Sequence, residues 1–370
     1  MKITVLQGAF LPVPPALGGA CEKMWFLLGQ KFAARGHEVA HVSRSWQGFP
    51  DREHIQGVVH VRVRGYQTPK RLILLKLLDA VYTWRAIRAI PVDTDVVVTN
   101  TFWAPLFIPF FRSAKVYVDV ARMPKGQMRL YSRAARLRAN STPVLEAIRA
   151  ELPKHRKTQA ETVPNPLPYD AEQAVEWHTK HPSVIFCGRV HPEKGLDLLI
   201  QTVNALPPGW VLTIVGPWKT AEGGGGEAYL EHLKALFDPA KVRFEEPVYD
   251  IEKLNQFYKR AAIFVYPSVA EKGETFGLAP LEAMAWGAVP VVSNLSCFRD
   301  FIHDGDNGLI FDHRAPSAQT QLMECVLRLI EDSDLRTRLA ASALQVRQSH
   351  SATAIADSFL ADFEKILGTQ

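Results

Sequence analysis

One segment of the chain, residues 263–292, constrains the fold more than any other. It begins with the apolar run Ile263–Pro267, passes through a loop into a short helical stretch, and ends in the apolar run Val289–Val292. Pro280 suits the first turn of that helix and Gly287 suits its exit. Apolar strands connected through a helix pair in parallel, and a parallel sheet is covered by helices on both faces. The segment therefore predicts an α/β domain with a parallel sheet.

The same alternation of apolar strands and helices runs through both halves of the 370 residues. In the first half, a strand at Ile3–Leu6 is followed by a helix over Ala20–Arg35. In the second half, a strand at Ser183–Gly188 precedes a helix over Gly195–Asn204. Between the halves, the prolines of Thr162–Pro168 stop regular structure and indicate a hinge. We therefore expect two Rossmann-like domains, residues 1–168 and 169–351.

Charge differs between the halves. Residues 1–165 carry 25 Lys and Arg against 11 Asp and Glu, a net charge of +14, whereas residues 166–370 carry 18 against 27, a net charge of −9. A basic first half and an acidic second half indicate two domains that face different partners. The four cysteines have no metal-ligand spacing, which indicates a reducing cytosol and no zinc site. The start of the chain shows no signal peptide, and no apolar run is long enough to span a bilayer, so we expect a cytoplasmic location.

Two glutamates flank the start of the helix in the 263–292 segment. Glu274 lies in the loop before the helix and Glu282 lies within its first turns. The free N–H groups at a helix start attract phosphate, and carboxylates accept hydrogen bonds from the hydroxyls of a sugar or ribose. Either glutamate alone is explained by the helix dipole or by solvation. Together in this segment they indicate a site for a nucleotide sugar.

Several further motifs occur in the order found in one enzyme family. They are Leu17-Gly18-Gly19, Arg35–Val39, Val163-Pro164-Asn165, Phe186–Gly195, Ile214–Gly216, the two-glutamate segment and Asp306–Leu309. With them the chain resembles, over nearly its whole length, the retaining glycosyltransferases of family 4. The resemblance implies the GT-B fold, in which two Rossmann-like domains have parallel sheets that face each other across a cleft. It also implies that the C-terminal helix, residues 352–370, packs back on the N-terminal, acceptor-binding domain.

The resemblance also implies roles for residues of the donor site. Arg189 and Lys194 would hold the diphosphate, Glu274 the transferred sugar and Glu282 the ribose. An Arg fork and a Lys ammonium can neutralise a departing diphosphate without a metal. The remaining donor-binding candidates are Gly18, Gly19, Gly188, Phe276, Gly277 and Leu278.

The acceptor side is less clearly marked. Many members of the family carry a histidine there, and this sequence has Asp119 after the strand Lys115–Asp119 instead. Asp119 could act on the reacting sugar or acceptor, or it could cap a turn. A stripe of basic residues, with no acid before Glu146, predicts a partly helical surface for an anionic acceptor or an anionic membrane. The stripe consists of Arg122, Lys125, Arg129, Arg133 and Arg136.

Two other segments are more simply explained by structure than by function. Leu72–Ile90 could contact a membrane interface, but its charges do not fall on one face, which favours a place in the core. The run Gly223–Gly226 indicates a flexible surface connection.

The function predicted is metal-independent transfer of a hexosyl or related group, with retention, from a nucleoside diphosphate sugar to a glycan or glycolipid. Polysaccharide or lipopolysaccharide synthesis for the cell envelope is the context that the family implies, with peripheral attachment to the inner face of the plasma membrane. No cofactor and no nucleic-acid partner are expected. A nucleotide-sugar epimerase of the same fold and a non-catalytic nucleotide-sugar-binding protein are the alternatives. The sequence does not specify the base, the sugar, the acceptor or the oligomeric state.

Overall fold

The chain divides into two compact units in a computed structural model that describes residues 1–16, 19–69, 71–171 and 173–368. The first unit comprises Met1–Tyr169 and His350–Gln370, and the second comprises Asp170–Ser349. The first unit is thus built from two separate stretches of sequence, whereas the second is continuous.

The regular elements alternate along both units. The strands are β1 (Lys2–Leu6), β2 (Glu38–Arg44), β3 (Arg52–Ile55), β4 (Val58–Val63), β5 (Val96–Thr99), β6 (Lys115–Val120), β7 (Arg136–Ala139), β8 (Ala160–Thr162), β9 (His181–Cys187), β10 (Val211–Val215), β11 (Val242–Glu245), β12 (Ala261–Tyr266), β13 (Val289–Ser293) and β14 (Leu309–Phe311). The helices are α1 (Ala20–Ala34), α2 (Leu72–Ala89), α3 (Ala104–Phe111), α4 (Thr142–Glu151), α5 (Leu196–Val203), α6 (Glu227–Lys234), α7 (Ile251–Arg260), α8 (Leu278–Ala285), α9 (Ala318–Glu331), α10 (Ser333–Ala343), α11 (Val346–Ser349) and α12 (Ala352–Leu367).

The first unit is an eight-stranded sheet covered on both faces. Its strand order is β3-β4-β2-β1-β5-β6-β7-β8, and every neighbouring pair is parallel except β3 and β4. Helix α12 completes one of its two cores, because Phe359 packs against Trp25 of α1 with ring centroids 5.0 Å apart. Phe363 contacts Phe32 in the same cluster at 5.8 Å.

The second unit is a six-stranded parallel sheet with the order β11-β10-β9-β12-β13-β14. The chain leaves β9 towards β10 on one side and later returns to β12 on the other side. The direction of strand addition therefore reverses between β9 and β12. In open α/β sheets ligands bind outside the carboxyl ends of the strands at such a switch point.

The helices expected from the sequence at the start of each unit are confirmed as α1 and α5, and the two-glutamate segment forms β12, a loop, α8 and β13 as predicted. The helix expected through Arg129, Arg133 and Arg136 is wrong. Arg129 lies in a single 3-10 turn, Gln127–Leu130, and Arg136 begins strand β7. The three-and-four spacing of charges was misleading because Arg136 is buried, where its guanidinium forms an ion pair with Asp362 at 2.6 Å.

Two further interpretations are corrected. Leu72–Ala89 is a helix of which only part is core. Tyr82, Ala86 and Ile87 pack in the core, whereas six large apolar side chains between Leu72 and Trp84 are exposed. The run Gly223–Gly226 is not an unstructured connection, because its backbone N–H groups donate to Thr220, Lys219, Val190 and Trp218 carbonyls at 2.8–3.1 Å. A side chain at Gly224 would meet the Trp218 backbone at 2.2 Å, so the glycines permit close backbone packing.

Within the described residues, no helix is both long and apolar enough to cross a membrane. In the same part of the chain, no group of three or more His, Cys, Asp or Glu side chains is arranged to hold a metal ion.

Candidate functional site

Two loops of the second unit meet at its topological switch point. One follows β9 and runs through a 3-10 turn, Pro192–Lys194, into α5. The other follows β12 and carries Glu274 into α8. Because β9 and β12 are neighbouring parallel strands, both loops leave the same edge of the sheet.

A buried ion pair connects the two loops. The Lys194 Nζ atom lies 2.7 Å from Glu274 Oε2, and their side chains are 9% and 12% exposed. The Lys194 ammonium also lies 5.2 Å from the ring centroid of Tyr266, the last residue of β12. Burial raises the pKa of the Tyr266 hydroxyl well above its ordinary value, and the Glu274 carboxylate raises it further. The phenol therefore remains protonated beside the carboxylate.

Backbone contacts hold the same loops together. The Glu193 carbonyl accepts from Val269 N at 2.9 Å and from Ser268 Oγ at 3.2 Å. Gly195 lies in the left-handed region with φ of 67°, and a side chain there would meet the Pro267 carbonyl oxygen at 2.0 Å. Only glycine fits this contact without a shift of the backbone. The position of Lys194 relative to Glu274 thus depends on close packing of backbone against backbone.

Arg189 lies on the same β9 loop and is partly exposed. Its Nη1 donates to the Gly223 carbonyl at 2.8 Å, and its Nη2 pairs with the Glu193 carboxylate. The Gly223 loop therefore fixes one side of the guanidinium, and Glu193 fixes the other. The Gly188 N–H donates to the Val215 carbonyl at 3.0 Å, so that group belongs to the packing of the β9 and β10 ends.

Glu282 lies in α8, the helix that follows the Glu274 loop. Its Oε2 accepts from the Tyr258 hydroxyl at 3.0 Å, and the residue is 9% exposed. The Cys187 thiol is close by, and burial raises the pKa of that thiol to about 12. A carboxylate offers about four lone-pair sites on its two oxygens, so several hydroxyl donors can share it.

The start of α8 is shaped by its neighbours in sequence. Gly277 precedes the helix with φ of 95°, and Leu278 is its first residue. The side chain of Phe276 is buried and its ring lies 5.4 Å from that of Phe301. Phe276 therefore anchors the loop through its ring.

Asp119, the acceptor-side candidate, is completely buried in the first unit. Its Oδ1 pairs with Arg138 Nη1 at 2.6 Å and its Oδ2 accepts from Trp25 Nε1 at 2.8 Å. Arg138 in turn donates to the Val163 carbonyl and to Asn165 Oδ1. Both carboxylate oxygens have partners inside the core, which argues against contact with a sugar or acceptor and for a structural role.

The other first-unit candidates are dispersed. Gly19 has φ of 94° before α1, and Gly18 lies outside the described residues. Arg122 and Arg133 are exposed, Arg129 donates to the Glu151 carbonyl at 3.2 Å, and Arg136 is buried. These arginines do not form one continuous stripe.

Sequence reasoning missed several residues that shape the site. They are Glu193, Tyr258, Tyr266 and Ser268. Tyr266 could have been found, because it ends an apolar run predicted as a parallel strand and such strand ends line ligand crevices. Tyr258 gives no such signal, since it reaches Glu282 from a different helix.

Comparison with known proteins finds a family match that lies within the second unit. Residues 170–346 match the family described as glycosyl transferases group 1. The match covers the β9 and β12 loops together with α8, and therefore every donor-site candidate of the second unit, whereas Gly18 and Gly19 lie outside it.

One similar relative is the D-inositol 3-phosphate glycosyltransferase of Xylanimonas cellulosilytica, which is 30% identical over 165 residues. That match covers 44% of this chain and 37% of the relative, so the chain spans well under half the length of the curated relative it matches.

Solved structures resemble the chain over nearly its whole length. Sucrose-phosphate synthase from Thermosynechococcus elongatus has a TM-score of 0.73 at 19% identity, with 100% of both chains covered. The Anabaena HepE protein in complex with UDP-glucose has a TM-score of 0.71 at 17% identity, covering 99% of this chain and 100% of the other. At these identities the likeness establishes the fold, which is the expected GT-B fold of two α/β units with parallel sheets.

Proposed function

We propose that this protein is a retaining glycosyltransferase that moves a hexosyl or related group from a nucleoside diphosphate sugar to a hydroxyl of a glycan or glycolipid. The observation that carries the proposal is the buried Lys194–Glu274 pair at the switch point of the second unit. The family match of this unit and the UDP-glucose bound to HepE agree with a nucleotide-sugar donor. Synthesis of cell-envelope polysaccharide or lipopolysaccharide, in the cytoplasm, is the context we propose.

The chemistry of the pair supports binding of the donor. The Lys194 ammonium is a point charge that can exchange part of its contact with Glu274 for a diphosphate oxygen. Arg189 can add a planar fork to the same group, since its Glu193 partner is a solvent-accessible carboxylate. Positive charge from these two side chains would stabilise the departing diphosphate. The proposal therefore assigns leaving-group stabilisation to protein cations and includes no metal or other cofactor.

The two carboxylates then have separate roles in the proposal. Glu274, held beside Lys194 and Tyr266, would accept hydrogen bonds from the hydroxyls of the sugar that is transferred. Glu282, held by Tyr258, would accept from the ribose. The leaving diphosphate would take the proton of the acceptor hydroxyl on the face from which it departs, which gives retention without a protein nucleophile.

A thermal-shift screen with UDP-, GDP- and ADP-linked sugars tests donor binding. A ligand at 100 times its Kd adds about 2.7 kcal/mol to the folded state, which for a unit of this size raises Tm by roughly 5 to 10 °C. We expect one nucleotide class to give this shift, and Lys194→Met to weaken it by roughly 10- to 150-fold in Kd, the range for loss of a charged hydrogen bond. Lys272→Met is the matched control, because Lys272 is an exposed lysine on the same loop.

Glu274→Gln tests the transfer step. We expect transfer to fall by at least tenfold, while Glu271→Gln, an acid on the same loop that pairs with Arg314, keeps native activity. The anomeric configuration of the product, read by NMR, should equal that of the donor. Native transfer by Glu274→Gln would overturn the proposed site. Binding without transfer by the native protein would favour the non-catalytic alternative, and an inverted product would rule out retention.

A further inference from the structure

We propose that an apolar face on helices α2 and α3 of the first unit docks this protein on an anionic lipid bilayer. The apolar face is defined by Ile73, Leu77, Val81, Trp84, Phe110 and Phe111. This surface differs from the arginine stripe predicted from the sequence, although one member of that stripe, Arg133, lies beside it. It does not depend on the proposed transferase activity.

Helix α2 exposes its apolar side and buries polar groups. Ile73, Leu77, Val81 and Trp84 recur at intervals of three or four residues, so they share one side of the helix. Ile73 is 79% exposed and Leu77 is 59% exposed. The side packed against the unit includes the polar residues Asp79 and Thr83 beside the core residues Tyr82, Ala86 and Ile87. A helix on a water-facing surface normally has the opposite arrangement, with its charged and polar face outward.

The face continues from α2 onto α3. The rings of Trp84 and Phe111 meet edge to face with centroids 4.9 Å apart, and Phe110 beside it is 65% exposed. Eight of the 13 exposed large apolar side chains in the described part of the chain lie on these two helices. Single exposed apolar residues are ordinary, whereas a contiguous patch of this kind marks an interaction surface.

Cations flank the apolar face. The Arg88 guanidinium lies 4.9 Å from the ring centroid of Trp84, and that of Arg133 lies 4.3 Å from the ring centroid of Phe110. Arg71 at the start of α2 is also exposed. The only acid in residues 64–92 is Asp79, which is buried, and residues 96–118 contain none. The charge on this surface is therefore complementary to an anionic partner.

Apolar side chains mixed with arginines fit a lipid surface in particular. Leu, Ile, Phe and Trp side chains insert at the level of the headgroups, while arginines nearby contact lipid phosphates. A protein partner that covered this face would need matching apolar and acidic groups. This chain has an acidic second unit, so a second copy is the alternative occupant that the experiment must separate.

The experiment is co-sedimentation of the full chain with vesicles of phosphatidylcholine alone and of phosphatidylcholine with phosphatidylglycerol. We expect binding to the acidic vesicles and much weaker binding to the neutral ones. Ile73→Ser/Leu77→Ser should weaken binding to acidic vesicles at least tenfold. Tyr249→Ser is the matched control, because Tyr249 is a large exposed side chain of the second unit, and it should bind as the native protein does.

Charge is tested separately. Arg88→Ser and Arg133→Ser should each reduce binding to acidic vesicles about fivefold, the factor that corresponds to roughly 1 kcal/mol per basic residue near the surface. Arg243→Ser removes an exposed arginine of the second unit and should leave binding unchanged. Far-UV circular dichroism of each variant establishes that it is folded.

Three results would overturn the proposal. They are no binding by the native chain, native binding by the folded Ile73→Ser/Leu77→Ser variant, and equal binding to neutral and acidic vesicles. Sedimentation velocity without lipid adds a fourth, since a dimer that this variant abolishes would show that a second copy covers the face. The vesicle assay contains no nucleotide sugar, so it can fail while the proposed transferase function holds.

Discussion

Substitution of Asp119 distinguishes a structural carboxylate from a catalytic one. In Asp119→Ala the Arg138 guanidinium loses its ion-pair partner at 2.6 Å and the Trp25 indole N–H loses its acceptor at 2.8 Å. Removal of one partner from a buried pair costs about 3 to 5 kcal/mol, and an unsatisfied buried N–H adds about 1 kcal/mol. We therefore expect the first unit to lose about 4 to 6 kcal/mol of its free energy of unfolding.

Such a loss is a large part of the stability of an ordinary domain, so Asp119→Asn is the milder variant to compare. The amide keeps one oxygen as an acceptor but loses the negative charge, and we expect a loss of about 2 to 4 kcal/mol. Urea unfolding measures both variants. The matched control is Asp357→Asn, which breaks a partly exposed ion pair with Arg35 in the same unit and should cost less than about 1 kcal/mol.

Donor binding provides the second readout. Because Arg189, Lys194, Glu274 and Glu282 all lie in the second unit, Asp119→Asn should keep the shift in Tm that a nucleotide sugar produces. The reasoning is refuted if Asp119→Asn unfolds at the native urea concentration and has lost sugar transfer. That result would mean that Asp119 reaches the reacting groups and that its burial does not describe the working enzyme.

Two further predictions concern the close backbone contact at Gly195 and the buried side chain of His60. In urea unfolding, Gly195→Ala should destabilise the second unit by at least 2 kcal/mol more than Gly209→Ala, and it should also weaken donor binding. Both glycines have positive φ, but only Gly195 faces a backbone oxygen, at 2.0 Å. Equal losses of stability in the two variants would contradict the role given to this contact. His60 stacks on His41 in neighbouring strands, neither ring has a hydrogen-bond partner among the described residues, and burial lowers the pKa of His60 to about 4. Its folded pKa lies below the unfolded value of about 6.5, so the stabilisation is complete above pH 6.5 and is lost as the pH falls towards 4. When the pH falls from 7 to 5, the free energy of unfolding of the native chain should decrease by roughly 1 to 2 kcal/mol more than that of His60→Phe, measured by urea unfolding at each pH. Equal decreases in the two proteins would show that His60 does not contribute to the pH dependence of stability.

The donor side was predictable because its residues follow local rules. Gly195, Pro280 and Gly287 mark where helices begin and end, and apolar runs such as Val289–Val292 mark buried parallel strands. A parallel sheet brings the ends of neighbouring strands to one edge, which explains why Lys194 and Glu274 lie together. The donor-site roles of both residues came from the family resemblance and stay predictions.

The acceptor side was not predictable because charged residues were assumed to lie on the surface. Arg136 and Arg138 lie in strand β7, where burial is offset by ion pairs with Asp362 and Asp119 from distant parts of the chain. No local pattern indicates such partners. The prediction that α2 is core was wrong for much of the helix for the complementary reason. Apolar residues were assumed to face inward, whereas the helix exposes many of them and buries Asp79, Tyr82 and Thr83.

The split composition of the first unit has a consequence for how the chain is made. Helix α12 supplies Phe359 and Phe363 to the core that α1 begins, yet the whole second unit lies between them in sequence. Because synthesis runs from the N-terminus at about 5 to 20 residues per second, residues 170–349 are all made before α12. The second unit can therefore complete its sheet while Trp25 and Phe32 still lack part of their packing. The second unit is thus the first to be complete, and the first unit closes its core only with the last helix.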